Sequence, residues 1–540
     1  MIDESLPTRR KLLVSRARFP DAVQHKAQRS DAPPIRDFAD SGVPQQGQLG
    51  VCNDPGSAAH RITSLRYVLR RARETACFRL AARINGLPIL MSSLLDQTAL
   101  ADLAERLVAA AKRAGADAAD ALALRGVSLS VDVRDGAVEE SQRSESDDIG
   151  LRVFVGKKQA VVSTNDVKGD GAAALAERAV AMARAAPDDR FAGLADPAAL
   201  ARDFPPLDLI DSTMPDVGVL EERARAAEAA GLAVSGVSKS GGASASAGIG
   251  GMVLVTSHGF HGASLASRHS IAMEAIAGSG TAMETDYDYS STLHAADLEA
   301  AAAIGRTAGE RAVKRLNPRK VATRRVPVVF DARVAGTLIG HLASAANGAS
   351  VARKTSFLRE KLGQRIFAEG ITIVDDPLRQ RGLRSRPFDA EGVATATRKL
   401  VEDGVLKTWL LDSATGRELN LKSTGHANRG VSSPPSPGPS NLYLVAGTKS
   451  PGQLIGEIED GFLVTSLIGV GVNLVTGDYS RGASGFWIER GQPTFAVGEV
   501  TIAGHLSEIF KSLAPANDLK FRFGTDAPTV RVEGLTVAGQ

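Results

Sequence analysis

"VSLSVDVRDGAVEES", residues 127–141, alternates apolar and polar side chains from Val127 through Leu129, Val131 and Val133, and then reaches Asp135-Gly136. Strict period-two alternation marks a half-buried strand, and Asp-Gly between two such runs is a strong short-range hairpin signal. The stretch that follows, "IGLRVFVGKKQAVVST" (149–164), alternates again around Gly156, Lys157 and Lys158, so a meander of long strands is expected. Upstream, "MSSLLDQTALADLAERLVAAAKRAGAD" (91–117) sets Leu100, Leu103, Leu107 and Ala111 on one helical face, with Asp96 placed to cap the start and Gly115 to end it. Downstream, helical spacing returns in residues 171–186 and 217–231, Gly/Ser-punctuated strands fill 234–278, and a further helix runs to Asn317-Pro318, which marks a boundary.

Beyond that boundary "VPVVFD" (326–331) is a short β-rich run followed by a helix, "TLIGHLASAANGAS" (337–350). From Ile371 onward strands and turns dominate, and Pro434 to Pro439 reads as an exposed loop between strand regions. The expected fold class is α+β. An N-terminal domain of long strands and helices covers 91–320, and a C-terminal, mainly β domain covers 321–540. Residues 1–90 are rich in Arg, Pro, Gln and Asp without sustained periodicity, and are expected to be a disordered arm or an upstream extension.

Composition narrows the function classes. The chain of 540 residues carries 64 basic and 61 acidic residues. Residues 1–90 hold 15 Lys+Arg against 8 Asp+Glu, which leaves 49 against 53 for the rest, so the basic excess sits in that leader. Such a balance gives no reason to expect contact with nucleic acid or a membrane surface. No run of eighteen apolar residues occurs, and a cytoplasmic protein is expected. Both cysteines, Cys52 and Cys77, lie in the leader, so everything from Met91 onward is without thiols.

Motifs for autonomous chemistry are missing. No H-E-x-x-H joins any of the nine histidines, and no phosphate-binding loop or nucleophile elbow is present. His258 and His261 could chelate by spacing, but they sit in a Gly-flanked turn. Asp389 and Glu391, two apart in "RPFDAEGVAT", would face one side of a strand and could take a cation or a peptide amine; a solvated strand edge is the plainer reading. "LKSTGHANRG" groups Lys422, Ser423, His426 and Arg429 in a polar loop suited to a carboxylate or phosphate, which turn chemistry alone also explains. Tyr479, Phe486 and Trp487 cluster in a chain with 4% aromatic residues and read as packing or interface anchors.

Four stretches, "VAGTLIGHLASAANGASVARKTSFL" (334–358), "RSRPFDAEG" (384–392), "LKSTGHANRG" (421–430) and "GDYSRGASGFWIERG" (477–491), together resemble the PmbA (TldE) branch of the TldD/PmbA family, also called modulators of DNA gyrase. The resemblance implies a heterodimeric metallopeptidase that degrades unfolded peptides and processes peptide precursors. In it a TldD-type sister subunit holds zinc through H-E-x-x-x-H on a helix plus a distant cysteine. On that comparison the ligand positions here are Gly340 and Ala345, with His341 near the place of the glutamate, and the closing segment has no cysteine. This chain is therefore expected to lack its own metal and cofactor and to depend on the sister subunit for hydrolysis. Asp389, Glu391, Lys422, His426 and Arg429 are its candidate substrate-binding residues. A homodimer of the isolated chain is compatible with pairing in the family. Two alternatives stand beside this: a regulatory or scaffold protein acting on DNA gyrase or a toxin-antitoxin pair, and a standalone hydrolase using Asp389, Glu391 and His426.

Overall fold

The structure, a computed structural model, describes residues 97–166 and 171–539. The expectations for residues 1–90 and for Asp96 as a cap lie outside the described residues.

The hairpin stretch lies where its alternation puts it. Strand β1 (Ala118–Arg134) turns through Asp135 and Gly136, both at positive φ, into β2 (Ala137–Val155). Two central residues with φ > 0 give the turn the hand that matches the strand twist. Glu228 closes it, its carboxylate accepting from the Asp135 and Gly136 N–H groups at 2.8 Å each. β3 (Lys158–Thr164), β4 (Val237–Thr256), β5 (His261–Ala277) and β6 (Glu284–Thr292) complete a six-stranded antiparallel sheet in the order β3-β2-β1-β4-β5-β6.

Residue parity assigns the faces of this sheet, because successive side chains point to opposite sides. Odd positions of β1 and β4 lie under helices. Helices α1 (Thr98–Arg113) and α2 (Ala172–Ala185) cover Ala119, Ala121, Ala123, Val253 and Val255 at one end, with Leu100, Leu103, Leu107 and Ala111 buried there. Helices α3 (Val217–Leu232) and α4 (Ala301–Lys314) cover Val131, Val133, Ala243, Ala245 and Ala247 at the other. The two helices meet closely: a Cβ on Gly305 of α4 would lie 1.8 Å from the Ala227 carbonyl oxygen of α3. The alanine-rich start of β1, residues 118–126, escaped the sequence reading because small residues that let a helix approach a sheet look the same as helix formers. "GGASASAG" (241–248), which composition cannot tell from a linker, lies inside β4.

Even positions near the start of β1 face the second domain. There Leu122, Met252 and Leu254 pack against Phe260 and Phe388. The second domain contains a closed barrel. Strands β7 (Arg324–Phe330), β8 (Asp460–Ile468), β9 (Asp478–Glu489), β10 (Gln492–His505) and β11 (Val530–Ala538) pair in that order, and β11 returns to β7. Closure leaves no free edge among these five, which removes the main hazard of an exposed strand. Helix α5 (Ala332–Ala345) follows β7 and shares one large core with the barrel and with a small five-stranded sheet built on Ile373–Asp375, through Leu338, Leu342, Ile373, Phe462 and Phe510. The stretch from Pro434 to Pro439 departs from expectation. Ser436–Pro437 pairs with Ala427–Asn428, and Pro437 is buried, so part of it is a short ribbon and not an exposed loop. Among the described residues no helix is long and apolar enough to cross a membrane.

Candidate functional site

The sequence candidates fall into three places. Asp389 and Glu391 are 0% and 3% exposed, which overturns the solvated strand edge. The run "RPFDAEGVAT" is a tight turn: Asp389 N–H donates to the Val393 carbonyl at 2.9 Å, and its Oδ1 accepts from the Glu391 and Val393 N–H groups at 2.9 and 3.0 Å. Its Oδ2 accepts from Ala427 N–H at 3.0 Å. Glu391 points elsewhere, accepting from Ser413 N–H at 2.8 Å and lying 3.7 Å from Arg152 Nη2. The two carboxylates therefore share no face and form no chelate. Next to them Phe388 enters the first domain, edge-on to Phe260 at 5.2 Å and Phe204 at 5.3 Å.

Arg429 reaches across the same seam. Its Nη1 lies 2.6 Å from Asp120 Oδ1, while Arg152 donates to Asp120 Oδ2 through Nε at 2.9 Å and Nη2 at 2.5 Å. Asp120 and Arg152 are register partners on β1 and β2, both on the even face. A backbone contact accompanies the charges: a Cβ on Gly150 would lie 1.9 Å from the Val431 carbonyl oxygen. Burial alone would raise the Asp120 carboxyl, but Arg152 and then Arg429 hold it below its ordinary range. Asp389 goes the other way. Burial and the neighbouring Glu391 push it up to about 7, and burial likewise raises Glu391.

His426 is 1% exposed. Its Nε2 lies 3.1 Å from Asp375 Oδ2 and its Nδ1 2.8 Å from Thr424 Oγ1, and Ser440 donates to Asp375 through both N–H and Oγ at 2.7 and 2.6 Å. The arrangement has the outline of a hydroxyl, base and carboxylate series. Thr424, however, is 9% exposed, and its Oγ1 accepts from Leu411 N–H at 2.8 Å. Lys422 stands apart and exposed. The structure thus brings Asp389, Glu391, His426 and Arg429 into one sealed region whose acceptors are taken by groups of this chain. Asp120, Arg152 and Asp375, which complete that region, were not singled out from sequence.

His261 has a carboxylate neighbour that its turn did not suggest: Nδ1 lies 3.5 Å from Glu105 Oε1 of α1. No group of three or more His, Cys, Asp or Glu that could hold a metal ion exists among the described residues.

The second place is α5. Leu338, Ile339, Leu342 and Ala345 face the core, and Gly340 opens to free space, where an added Cβ would meet nothing within 4 Å. His341, between these faces, is half-buried, edge-on to the Tyr479 ring at 5.9 Å and 71°. Burial first, and then the Arg481 cation, lower its pKa to about 4, so its imidazole is neutral at pH 7. Tyr479, on β9, is 1% exposed. Burial raises its phenol well above the ordinary value, with Arg481 opposing. His341 Nε2, Tyr479 Oη and Arg481 Nε are all buried with no hydrogen-bond partner among the described residues. Arg481 gave no signal as a type, but strand parity would have found it, since it shares the inward face with Tyr479 and Ala483. The other two aromatics of this stretch behave as anchors: Trp487 is buried and donates Nε1–H to Asp460 at 2.8 Å, and Phe486 is half-buried.

An antiparallel sheet with its helices on one face, packed against a closed barrel, defines a two-lobed α+β fold that solved structures share. One, described as a modulator of DNA gyrase from Bacteroides thetaiotaomicron, superposes with a TM-score of 0.76 at 28% identity, covering 81% of this chain and 98% of that one. TldE from Thermococcus kodakarensis superposes at 0.73 over 81% of this chain and 100% of that one, at 20% identity, a likeness of fold. The chain belongs to the PmbA/TldD metallopeptidase family. The family's models for the PmbA/TldA metallopeptidase domain 1, central domain and C-terminal domain match residues 119–183, 205–316 and 323–539. Among curated relatives, the metalloprotease PmbA homolog of Haemophilus influenzae is 37% identical over 434 residues, 79% of this chain and 94% of that one. Metalloprotease PmbA of Escherichia coli O157:H7 is 36% identical over 427 residues, 78% of this chain and 93% of that one.

Proposed function

We propose that this chain is the metal-free, TldE-type subunit of a heterodimeric peptidase, in which a TldD-type sister subunit supplies zinc and hydrolysis and this chain helps to enclose unfolded peptides and peptide precursors. One observation carries the reading. On α5 the imidazole of His341 has Arg481 as its charged neighbour, with Gly340 and Ala345 at the two positions where the family motif would need imidazoles. Zinc is held by neutral imidazoles, thiolates and carboxylates at close to 2 Å, and a guanidinium beside a single imidazole opposes a divalent cation. These residues do not fit the metal, and no step in this chain runs through it. The sealed seam of Asp389, Glu391, His426 and Arg429 supports the same reading, since a standalone hydrolase would need those side chains open to substrate. Free strand edges outside the barrel offer places for an extended peptide to pair.

Metal analysis and a peptidase assay on the purified chain, alone and mixed with a TldD-type protein, test this. The expected result is no stoichiometric zinc and no hydrolysis alone, with both appearing on mixing. Stoichiometric zinc bound by this chain by itself would sink it.

A further inference from the structure

The cluster at His341, Tyr479 and Arg481 is unusual in what it lacks. Buried polar groups in folded proteins are nearly always paired, because leaving one bare forfeits its hydration for nothing. Here three neighbouring side chains from two elements each carry a bare polar atom, with the His341 and Tyr479 rings 5.9 Å apart, and Tyr479, which contributes its hydroxyl, is 1% exposed. Arg481 also makes no ion pair with a carboxylate among the described residues, although it lies on the inward face of β9 between Tyr479 and Ala483, both members of the core. Elsewhere in this molecule several arginines set against the core have acids: Arg152 and Arg429 have Asp120, and Arg333 has Asp286 at 2.6 Å. Arg481 has no such acid, and the groups around it are a neutral imidazole and a phenol.

The surroundings give the cluster a way in and a character. His341 and Arg481 are half-buried, so the cluster reaches the surface, and Gly340 leaves open space beside His341. The β8–β9 loop runs along the same strand. Val472 bridges Tyr479, and Gly471 carbonyl accepts from Ser480 N–H at 2.7 Å. That loop and the end of β8 show apolar side chains to solvent, with Ile468, Val470 and Val475 exposed by 44%, 93% and 54%. A cation with two neutral hydrogen-bonding groups beside an apolar rim suits an anionic end on an apolar body.

We infer that His341, Tyr479 and Arg481 form a binding site for a carboxylate presented by a peptide, the guanidinium supplying the charge and the phenol and imidazole the remaining hydrogen bonds. Guanidinium matches the planar carboxylate in geometry as well as in sign. The carboxylate site stands on the side chains alone; its assignment to a peptide rests on the function proposed above. Two sources share this chemistry, the terminal carboxylate of a peptide and an acidic side chain within one.

The test uses the full chain alone, with ring-labelled histidine so that the His341 NMR signal, assigned by its loss in His341→Gln, reports occupancy. Four probes are titrated: an acetylated apolar tripeptide with a free carboxylate, the same peptide as its amide, a Glu-containing peptide amide, and inorganic phosphate. A saturable shift of the His341 signal with the free tripeptide or the Glu peptide supports the site, and which of the two gives it assigns the source. Arg481→Met should weaken that binding at least tenfold. Tyr479→Phe, which keeps the ring and removes only the hydroxyl, should weaken it by a smaller factor and serves if Arg481→Met does not fold. No saturable shift, equal binding of acid and amide, response to phosphate only, or unchanged affinity in both variants overturns the inference. Zinc in the isolated chain together with an intact carboxylate titration would fail only the proposed function. Hydrolysis on mixing without any titration would fail only this site.

Discussion

Replacing Asp120 by Asn strikes the seam between the two domains at its centre. Asp120 is 1% exposed and its carboxylate is the acceptor for both Arg152 and Arg429, whose side chains are 4% and 3% exposed. The amide can accept from one guanidinium, but it turns its own N–H₂ toward the other and removes the negative charge from between them. Arg152 retains Glu391 at 3.7 Å, whereas Arg429 retains no carboxylate within ion-pair distance among the described residues. Removing one partner from a buried pair costs about 3–5 kcal/mol, because the charge left behind is desolvated and unpaired. For domains of this size each kcal/mol moves Tm by about 2–4 °C, so a fall on the order of 10 °C is expected at pH 7. Calorimetric or circular-dichroism melting measures it. Arg429→Met in the Asp120→Asn background should restore about half the loss, since it withdraws the stranded cation. A loss under about 1 kcal/mol, or strictly additive effects in the double variant, would refute the argument that this seam holds the lobes together by charge.

Asp389 and Glu391 make the same region sensitive to alkali. A carboxyl raised in the folded state from 3.8 to about 7 contributes stability that is complete below the unfolded value and is lost as pH rises through the folded one. Melting of the wild type should therefore decline between pH 5 and 8 more steeply than that of Asp389→Asn. Asp120, held low, acts oppositely and contributes stability that is lost only as pH falls below its unfolded value of 3.8. His341, lowered from 6.5 to about 4, contributes stability present above 6.5 and lost as pH falls through 4; His341→Leu should remove that acid slope in a Tm series from pH 7 to 4. Gly305→Ala should cost about 1–3 kcal/mol or more, because its methyl would press on the Ala227 carbonyl. Gly340→Ala, opening to free space within α5, should instead stabilise by about 0.5–1 kcal/mol in the same assay.

The sequence made the long hairpin legible because alternation and the turn at Asp135-Gly136 are local signals that agree. It hid the first half of β1, where Ala119, Ala121 and Ala123 satisfy helix propensity and close sheet packing equally well. The candidate residues were legible by type and not by role. Arg429 and Asp120 are 309 positions apart, and a charge in a polar loop shows nothing of the partner that awaits it on another domain. Asp389 and Glu391 suggested a shared face because a strand was assumed; the chain instead turns between them, Gly392 N–H donating to the Asp389 carbonyl at 2.9 Å, and the two side chains diverge. Arg481 was overlooked because its interest lies in having no acid, a property that only the assembled surroundings can reveal.

Gly150 acts as a spacer of zero thickness. With hydrogen in place of a methyl it lets the Val431 carbonyl rest on β2, and Val431 is two residues from Arg429, so the depth at which the lobes seat and the reach of that guanidinium are set together. A substitution as small as Gly150→Ala would work as a shim, lifting one lobe from the other and drawing Arg429 away from its acid without touching either charge.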